Sequence, residues 1–207
     1  MELLLIRHGR PVRRENTEGP ADPGLDDAGA DQATRLADYL SAEPLEAVYT
    51  SPMARARQTA EPLARAFRLE MVVEDDLAEY DRLADTYIPL EELKAAGDPR
   101  YRQLLSGQQE LGDETPDEFA ARVVAGVERL VLANPGRQIA AVCHGGVINA
   151  YLAHVLGIGL GSERGFFFPN YTSVHRVVAA RSGERSLASL NEISHLRGTG
   201  ARAGLLD

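Results

Sequence analysis

With 207 residues, 44% hydrophobic and 26% charged, the chain has the size and composition of one ordinary globular domain, and disordered, collagen-like and disulfide-scaffold classes are excluded. Its 22 basic and 31 acidic residues leave a net charge of −9, which repels nucleic acid and anionic membrane surfaces and points to small-molecule partners. No apolar run approaches the ~20 residues of a membrane span, Cys143 has no internal disulfide partner, and no charged-then-apolar leader precedes Leu3, so the cytoplasm is the expected compartment.

The chain opens on Leu3-Leu4-Leu5-Ile6, a continuous apolar run that reads as a buried parallel strand and stops sharply at Arg7-His8-Gly9. Residues 10 to 27 carry glycine, proline, asparagine and aspartate at turn density. From Ala28 to Ser41 the spacing of Ala33, Leu36, Ala37 and Leu40 predicts an amphipathic helix. Ala47-Val48-Tyr49 predicts a second strand closed by Thr50-Ser51-Pro52, residues 53 to 67 a second helix, and Met71-Val72-Val73 a third strand. Between Asp75 and Gly112 the pattern weakens, with helical turns expected at Leu90 to Ala95 and Tyr101 to Leu105, and the stretch reads as an insertion. Thr115, Pro116 and Glu118 then supply the N-cap, first-turn proline and capping-box acid of a long helix. Phe119, Val123, Val127, Leu130 and Val131 form its buried stripe, and Asn134-Pro135-Gly136 stops it. Ile139 to Cys143 is a fourth strand ending at His144-Gly145-Gly146, and a helix follows from Val147 to about Leu156 with Gly157 as C-cap. Ser173 to Ala179 and Ser186 to Leu190 flank Ser182-Gly183 as an antiparallel hairpin.

Strand and helix alternate, so the expected class is α/β: a three-layer α/β/α sandwich whose sheet is mainly parallel with one antiparallel edge hairpin. Open sheets of this kind bind ligands at the carboxyl ends of their strands, and the chemically unusual residues sit there. Arg7 and His8 follow the first strand, Ser51 and Arg55 the second and His144 the fourth, with Glu79 shortly beyond the third.

A histidine that leaves a strand between an arginine and a glycine has little of the character of a core residue, because the glycine lets a ligand approach the backbone. His144 has a matching setting, with two glycines and a helix N-terminus that favours an anion. Arg7 and Arg55 present planar forks that match phosphate or carboxylate oxygens, so the set is cationic inside an acidic chain and suits a phosphoryl group. Arg57 reads as a solvated charge. Residue type alone does not separate Glu79 from Asp75 or Asp76. Cys143 reads as a core thiol, Ser51 as a turn and helix-capping residue, and Gly157, Gly159 and Gly161 as a helix stop and loop. His154, His175 and His195 read as structural, since none has the spacing of a zinc pair.

The ordered set Arg7-His8-Gly9, Thr50-Ser51-Pro52-Met53-Ala54-Arg55-Ala56-Arg57-Gln58-Thr59-Ala60 and His144-Gly145-Gly146 resembles the histidine phosphatase superfamily over most of the chain. Leu25, Gly29, Gln32-Ala33, Leu77-x-Glu79 and Asn170-Tyr171-Thr172-Ser173-Val174 add to the likeness. The resemblance implies a phosphoglycerate mutase-like fold over residues 1 to 207 as a single domain, with a substrate-specificity insertion at about 75 to 112. It implies that His8 is the nucleophile that becomes phosphohistidine, that Glu79 is the proton donor and later the base, and that Arg7, Arg55 and His144 bind the phosphoryl oxygens. No metal and no cofactor are implied. Many family members continue Arg-His-Gly with Glu and then Thr or Ser, where this chain has Arg10-Pro11. The mutases place an asparagine where this chain has Arg14, the nearest asparagine being Asn16, and they are longer. The expected activity is therefore phosphomonoester hydrolysis, with mutase-type isomerisation or a noncatalytic phosphate- or protein-binding module as alternatives. The expected partner is a small phosphate ester or a phosphoprotein, and a homodimer is compatible with the sequence. Arg82, Arg100 and Arg102 are candidate substrate contacts within the insertion, although each reads first as ordinary surface.

Overall fold

The computed structural model describes residues 1–105, 114–159 and 166–199. Its elements in chain order are β1 (Glu2–Arg7), β2 (Arg14–Glu15), α1 (Asp27–Leu40), β3 (Leu45–Thr50), α2 (Ala54–Phe67), β4 (Met71–Val73), β5 (Thr86–Tyr87), α3 (Leu90–Ala95) and α4 (Pro99–Leu105). They continue with α5 (Pro116–Ala133), β6 (Gln138–Cys143), α6 (Gly145–Leu156), β7 (Val174–Ala179) and β8 (Arg185–Glu192). Six strands form one sheet in the order β4-β3-β6-β1-β7-β8. The first four of these run parallel, while β7 pairs antiparallel with β1 and β8 antiparallel with β7.

Side-chain alternation along the central strands builds the layers. Leu3 and Leu5 of β1, with Ile139, Ala141 and Cys143 of β6, join the core beneath α5 and α6. Leu4 and Ile6, with Ala140 and Val142, join the core beneath α1 and α2. Both faces are covered, which is why Leu3 to Ile6 is an unbroken apolar run and every one of its side chains is fully buried. Cutting Leu4 or Leu5 back to alanine would cost ~2–5 kcal/mol, the range for a core leucine.

The helix signals work as the residues suggest. Thr115 Oγ1 accepts from the Glu118 amide at 3.3 Å while Glu118 Oε2 accepts from the Thr115 amide at 2.9 Å, closing the capping box of α5. Gly157 takes a left-handed conformation, φ 66°, to end α6. Helix α1 starts one residue earlier than its apolar stripe indicates, because the Asp26 carboxylate accepts from the Gly29 amide at 2.7 Å and caps it there. Helix α6 likewise starts at Gly145 rather than Val147, with His144 itself at the N-cap position. One element is absent from the sequence pattern altogether. Strands β2 and β5 pair Arg14 with Tyr87 and Glu15 with Thr86. Two residues per strand are too few to show a period. This small ladder, extended by Asn16 N to Asp85 O at 2.8 Å and Ala21 N to Ala84 O at 2.7 Å, fastens the loop after β1 to the segment after β4.

Candidate active site

The site begins where β1 ends. His8 keeps its ladder bond, donating from its amide to the Cys143 carbonyl at 2.9 Å, and the chain then turns at Gly9. The Gly9 amide donates to Thr59 Oγ1 at 2.9 Å, and that hydroxyl donates to the Arg55 carbonyl at 2.7 Å, so the turn is fastened to α2. A Cβ on Gly9 would stand 2.7 Å from the Gly29 carbonyl oxygen, which reserves the position for glycine. The His8 ring turns Nδ1 toward the Gly9 carbonyl at 2.8 Å. A carbonyl oxygen only accepts, so Nδ1 carries the proton and Nε2 keeps its lone pair. Burial, reinforced by the charges of Arg55 and Arg7, pushes the His8 pKa well below the ordinary 6.5. The imidazole is neutral at pH 7.

Two arginines flank this ring. Arg7 Nη1 donates to the Pro169 carbonyl at 2.5 Å, and its guanidinium carbon lies 4.2 Å from the Tyr171 ring centroid and 4.7 Å from that of Phe168. Arg55, 1% exposed, donates from Nη2 to Asp81 Oδ1 at 2.9 Å, with the Tyr87 ring 4.7 Å from its guanidinium carbon. Arg7 Nε and Arg55 Nε and Nη1 are buried without a partner among the described residues. A buried unpartnered donor costs about 1–3 kcal/mol, and more on a charged group, so three together mark a place prepared for an anion.

His144 lies beside His8, the two ring centroids 5.1 Å apart, and is completely buried. Its Nε2 is 2.7 Å from Ser51 Oγ, which also accepts from the Met53 amide at 3.3 Å. Its Nδ1 is buried with no partner among the described residues. Burial first, then Arg55, His8 and Arg7, hold its pKa well below 6.5. The expectation for Ser51 is corrected in part: it turns the chain, but the N-terminus of α2 is capped from elsewhere. Both carboxylate oxygens of Asp22, on the loop after β1, accept from the Ala54 amide at 2.9 and 3.0 Å.

Glu79 is buried in the lining of the same cavity. Its Oε2 accepts from the Gly146 amide at 2.7 Å and its Oε1 from the Tyr80 amide at 3.1 Å. A side chain on Gly146 would overlap this carboxyl group, so the second glycine after His144 makes room for the acid. It also uses one of the helix amides that the sequence left available for an anion. Burial, then the neighbouring Asp81, raise the Glu79 pKa to about 7 against the pull of the two amides and Arg55. Asp75 and Asp76 do not line the cavity, and Asp76 instead pairs with Arg129.

The cavity encloses about 610 Å³, with Arg7, His8, Arg55 and Glu79 in its lining and Tyr87, Leu90, Phe166 and Tyr171 among its apolar walls. His144, beside His8 and fully buried, is not among the lining residues. Of the other arginines, Arg100 lines the cavity but is gripped by Asp98 at 2.6 to 3.1 Å, and Arg82 pairs with Glu114 at 3.3 Å. Arg102 and Arg14 are exposed and outside the lining. Residues 106–112 of the expected insertion, and Gly161, lie outside the described residues. Cys143 is fully buried and its thiol pKa is pushed up by desolvation, consistent with a core role. His175 bonds Ser173 Oγ at 2.9 Å and the Asn191 amide at 3.1 Å, His195 bonds Thr172 Oγ1 at 2.9 Å, and His154 is exposed on α6. Among the described residues no three His, Cys, Asp or Glu side chains are grouped to hold a metal ion, and no helix is long and apolar enough to cross a membrane. Sequence reasoning missed Asp81, Tyr87 and Asp22. The signal that could have pointed to the walls around Arg7 is the aromatic density of residues 166 to 171.

Residues 3–193 match the histidine phosphatase superfamily, branch 1. The chain is 33% identical over 164 residues to a bifunctional protein of Mycobacterium tuberculosis, a match that takes in 77% of this chain and 45% of that one. It thus spans about half the length of the first curated relatives it matches. It is 30% identical over 158 residues to the uncharacterized phosphatase PhoE of Bacillus subtilis, covering 75% of this chain and 77% of the relative. Among solved structures, Bacillus stearothermophilus YhfR shares the fold with a TM-score of 0.75 at 23% identity, covering 94% of this chain and 98% of that one. With the match running from the first strand to the last, the chain belongs to the histidine phosphatase superfamily.

Proposed function

We propose that the protein is a metal-independent phosphomonoester hydrolase working through a phosphohistidine on His8. The observation that carries this reading is the pairing of a neutral His8, its Nε2 lone pair kept free by the Nδ1 bond to Gly9, with unpartnered guanidinium N–H groups in the same pocket. The guanidinium groups of Arg7 and Arg55 receive the phosphoryl oxygens, joined by His144 in the tautomer that carries its proton on Nδ1, and they gain strength as charge builds on those oxygens in the transition state. The Nε2 lone pair attacks phosphorus, the bond from phosphorus to the ester oxygen breaks, and the Glu79 carboxyl gives its proton to that departing oxygen. A water then attacks the phosphohistidine, its proton passes to the Glu79 carboxylate, and the phosphorus–nitrogen bond breaks with its electron pair returning to Nε2. Phosphate leaves and Glu79 is again protonated. The positive charge that a metal would bring to this chemistry is supplied by the two arginines.

Hydrolysis is favoured over isomerisation because Arg14 stands where the mutases carry asparagine and lies on the exposed β2–β5 ladder, outside the cavity. A cavity of about 610 Å³ suits a small phosphate ester. The deciding experiment incubates the purified chain, with a chelator present, against phosphomonoesters that include phosphoglycerates, and follows free phosphate and isomerised product. Phosphate release that His8→Ala abolishes, with an acid-labile phosphoryl group trapped on the parent protein, is the expected result. Isomerised product with little phosphate would make it a mutase, and phosphate binding without turnover would make it a binding module.

A further inference from the structure

Asp81 brings a carboxylate into a cavity whose expected guest is itself an anion. Its side chain is 15% exposed, its Oδ1 accepts a hydrogen bond from Arg55 Nη2 at 2.9 Å, and it lines the same cavity as Glu79, two residues away. A site selected only for holding phosphate would not keep a competing acid on its principal cation.

We propose that Asp81 is a positioning residue of this site: it fixes the Arg55 guanidinium through Nη2 for contact with the phosphoryl group, and its charge keeps the neighbouring Glu79 carboxyl protonated for the first step. The inference rests on the hydrolase reading above and adds to it a division of labour between two acids. An anion fixed beside a carboxyl group disfavours its ionisation, and here it works with burial in the same direction. The other charged and titratable groups around Glu79 act differently. Arg55 of α2 and the amides of Gly146 and Tyr80 favour the carboxylate. Arg122 of α5 is bonded to the carbonyls of Asp76 and Ala78 at 2.8 and 3.1 Å and adds positive charge behind the same turn. The Cys143 thiol at the end of β6 and the neutral His8 ring carry no charge at pH 7. Asp81 is thus the negative charge that offsets Arg55 at this acid. The cost falls on binding, because the same charge repels the phosphoryl dianion and occupies one donor of Arg55.

Asp81→Asn separates these effects, since the amide oxygen can still accept from Nη2 while the charge is gone. Three results are expected in the full chain. The Glu79 carboxyl, followed by ¹³C NMR titration, loses its proton about one pH unit lower. Inorganic phosphate binds about tenfold more tightly at pH 7.5 by calorimetry, because a nearby like charge has been removed. The alkaline limb of turnover for an alkyl phosphate moves to lower pH, while an activated aryl phosphate keeps its profile. Asp81→Glu, which restores the charge, returns the Glu79 midpoint toward that of the parent. An unmoved Glu79 midpoint, or phosphate binding that is unchanged or weaker in Asp81→Asn, overturns the proposal. The NMR and calorimetric arms need no turnover, so inactivity of the parent toward every ester would sink the hydrolase reading while leaving the role of Asp81 to be judged by those two arms.

Discussion

A group that protonates a departing alkoxide has to hold its proton at the pH of the reaction, and an ordinary glutamate does not. Glu79 does so because it is buried beside Asp81, which brings its pKa to about 7. The proposed first step needs the protonated form, so turnover of esters with poor leaving groups should fall as pH rises through 7. Glu79→Gln should slow the first turnover of an alkyl phosphate by about a hundredfold or more, the usual worth of a positioned acid. It should leave the initial burst of nitrophenolate from p-nitrophenyl phosphate nearly intact, because that leaving group departs without a proton. Rapid-mixing measurements of both substrates check this, and equal slowing of the two would remove the acid role. Sequence pattern placed Glu79 at the family's acidic position, yet nothing in Leu77-Ala78-Glu79-Tyr80-Asp81 shows that the carboxyl is buried against Gly146. That burial is made by α6, 67 residues further along the chain. Asp81 was unreadable for the same reason, since its partner Arg55 lies 26 residues back on α2.

At the scale of elements, the legible pieces are those whose stabilisation is local or periodic. Strand β1 announces itself by apolar continuity and α5 by its capping box, and both stand where the residues put them. Helix α2 is legible by period to within one residue, but what caps its start is not. Met53 at its N-cap makes no side-chain cap bond, and the amide of Ala54 is satisfied across 32 residues by Asp22. This contact matters to chemistry because Arg55 is the second residue of the helix, so its guanidinium is only as well placed as the first turn. Asp22→Ala should lower the stability to urea by about 1 kcal/mol, the worth of an N-cap acceptor at a helix N-terminus. It should also weaken inorganic phosphate binding, and Asp22→Asn should recover most of the loss in stability by keeping the acceptor. A free energy of unfolding for Asp22→Ala that matches the parent within measurement error would show that water replaces the cap and that α2 holds Arg55 unaided. The β2–β5 ladder is the opposite case, two residues on each side and no local signal. Its role in fastening the loop that carries Asp22 emerges only in three dimensions.

Over the whole molecule, a sheet covered on both faces buries what its central strands carry, including polar residues needed at their ends. His8 and His144 at those ends, and His175 on β7, are buried neutral; His8 and His144 have pKa values well below 6.5 and His175 about 3. Unfolding restores their ordinary values. Below pH 6.5 the unfolded chain therefore binds up to three more protons than the folded one at these sites, and stability present above pH 6.5 is lost as pH falls toward the folded values. Glu79 works the other way. Its folded pKa of about 7 lies above the ordinary 4.5, so its contribution is fully present below 4.5 and is lost as pH rises through 7. Between pH 6.5 and 4.5 it offsets one histidine, while His195, drawn down to about 4 by burial, adds to the histidine side, so stability falls as pH drops through this range. Each proton of difference is worth about 1.4 kcal/mol per pH unit against a total of ~5–15 kcal/mol, so acid weakens the fold before most carboxylates have titrated. Urea unfolding at pH 7.5, 6 and 5 checks the argument, and His8→Ala should reduce the slope by one proton. A free energy of unfolding that stays level from pH 7 to 5 would mean that these rings are protonated in the folded protein. His8 would then not present the lone pair that the proposed chemistry requires.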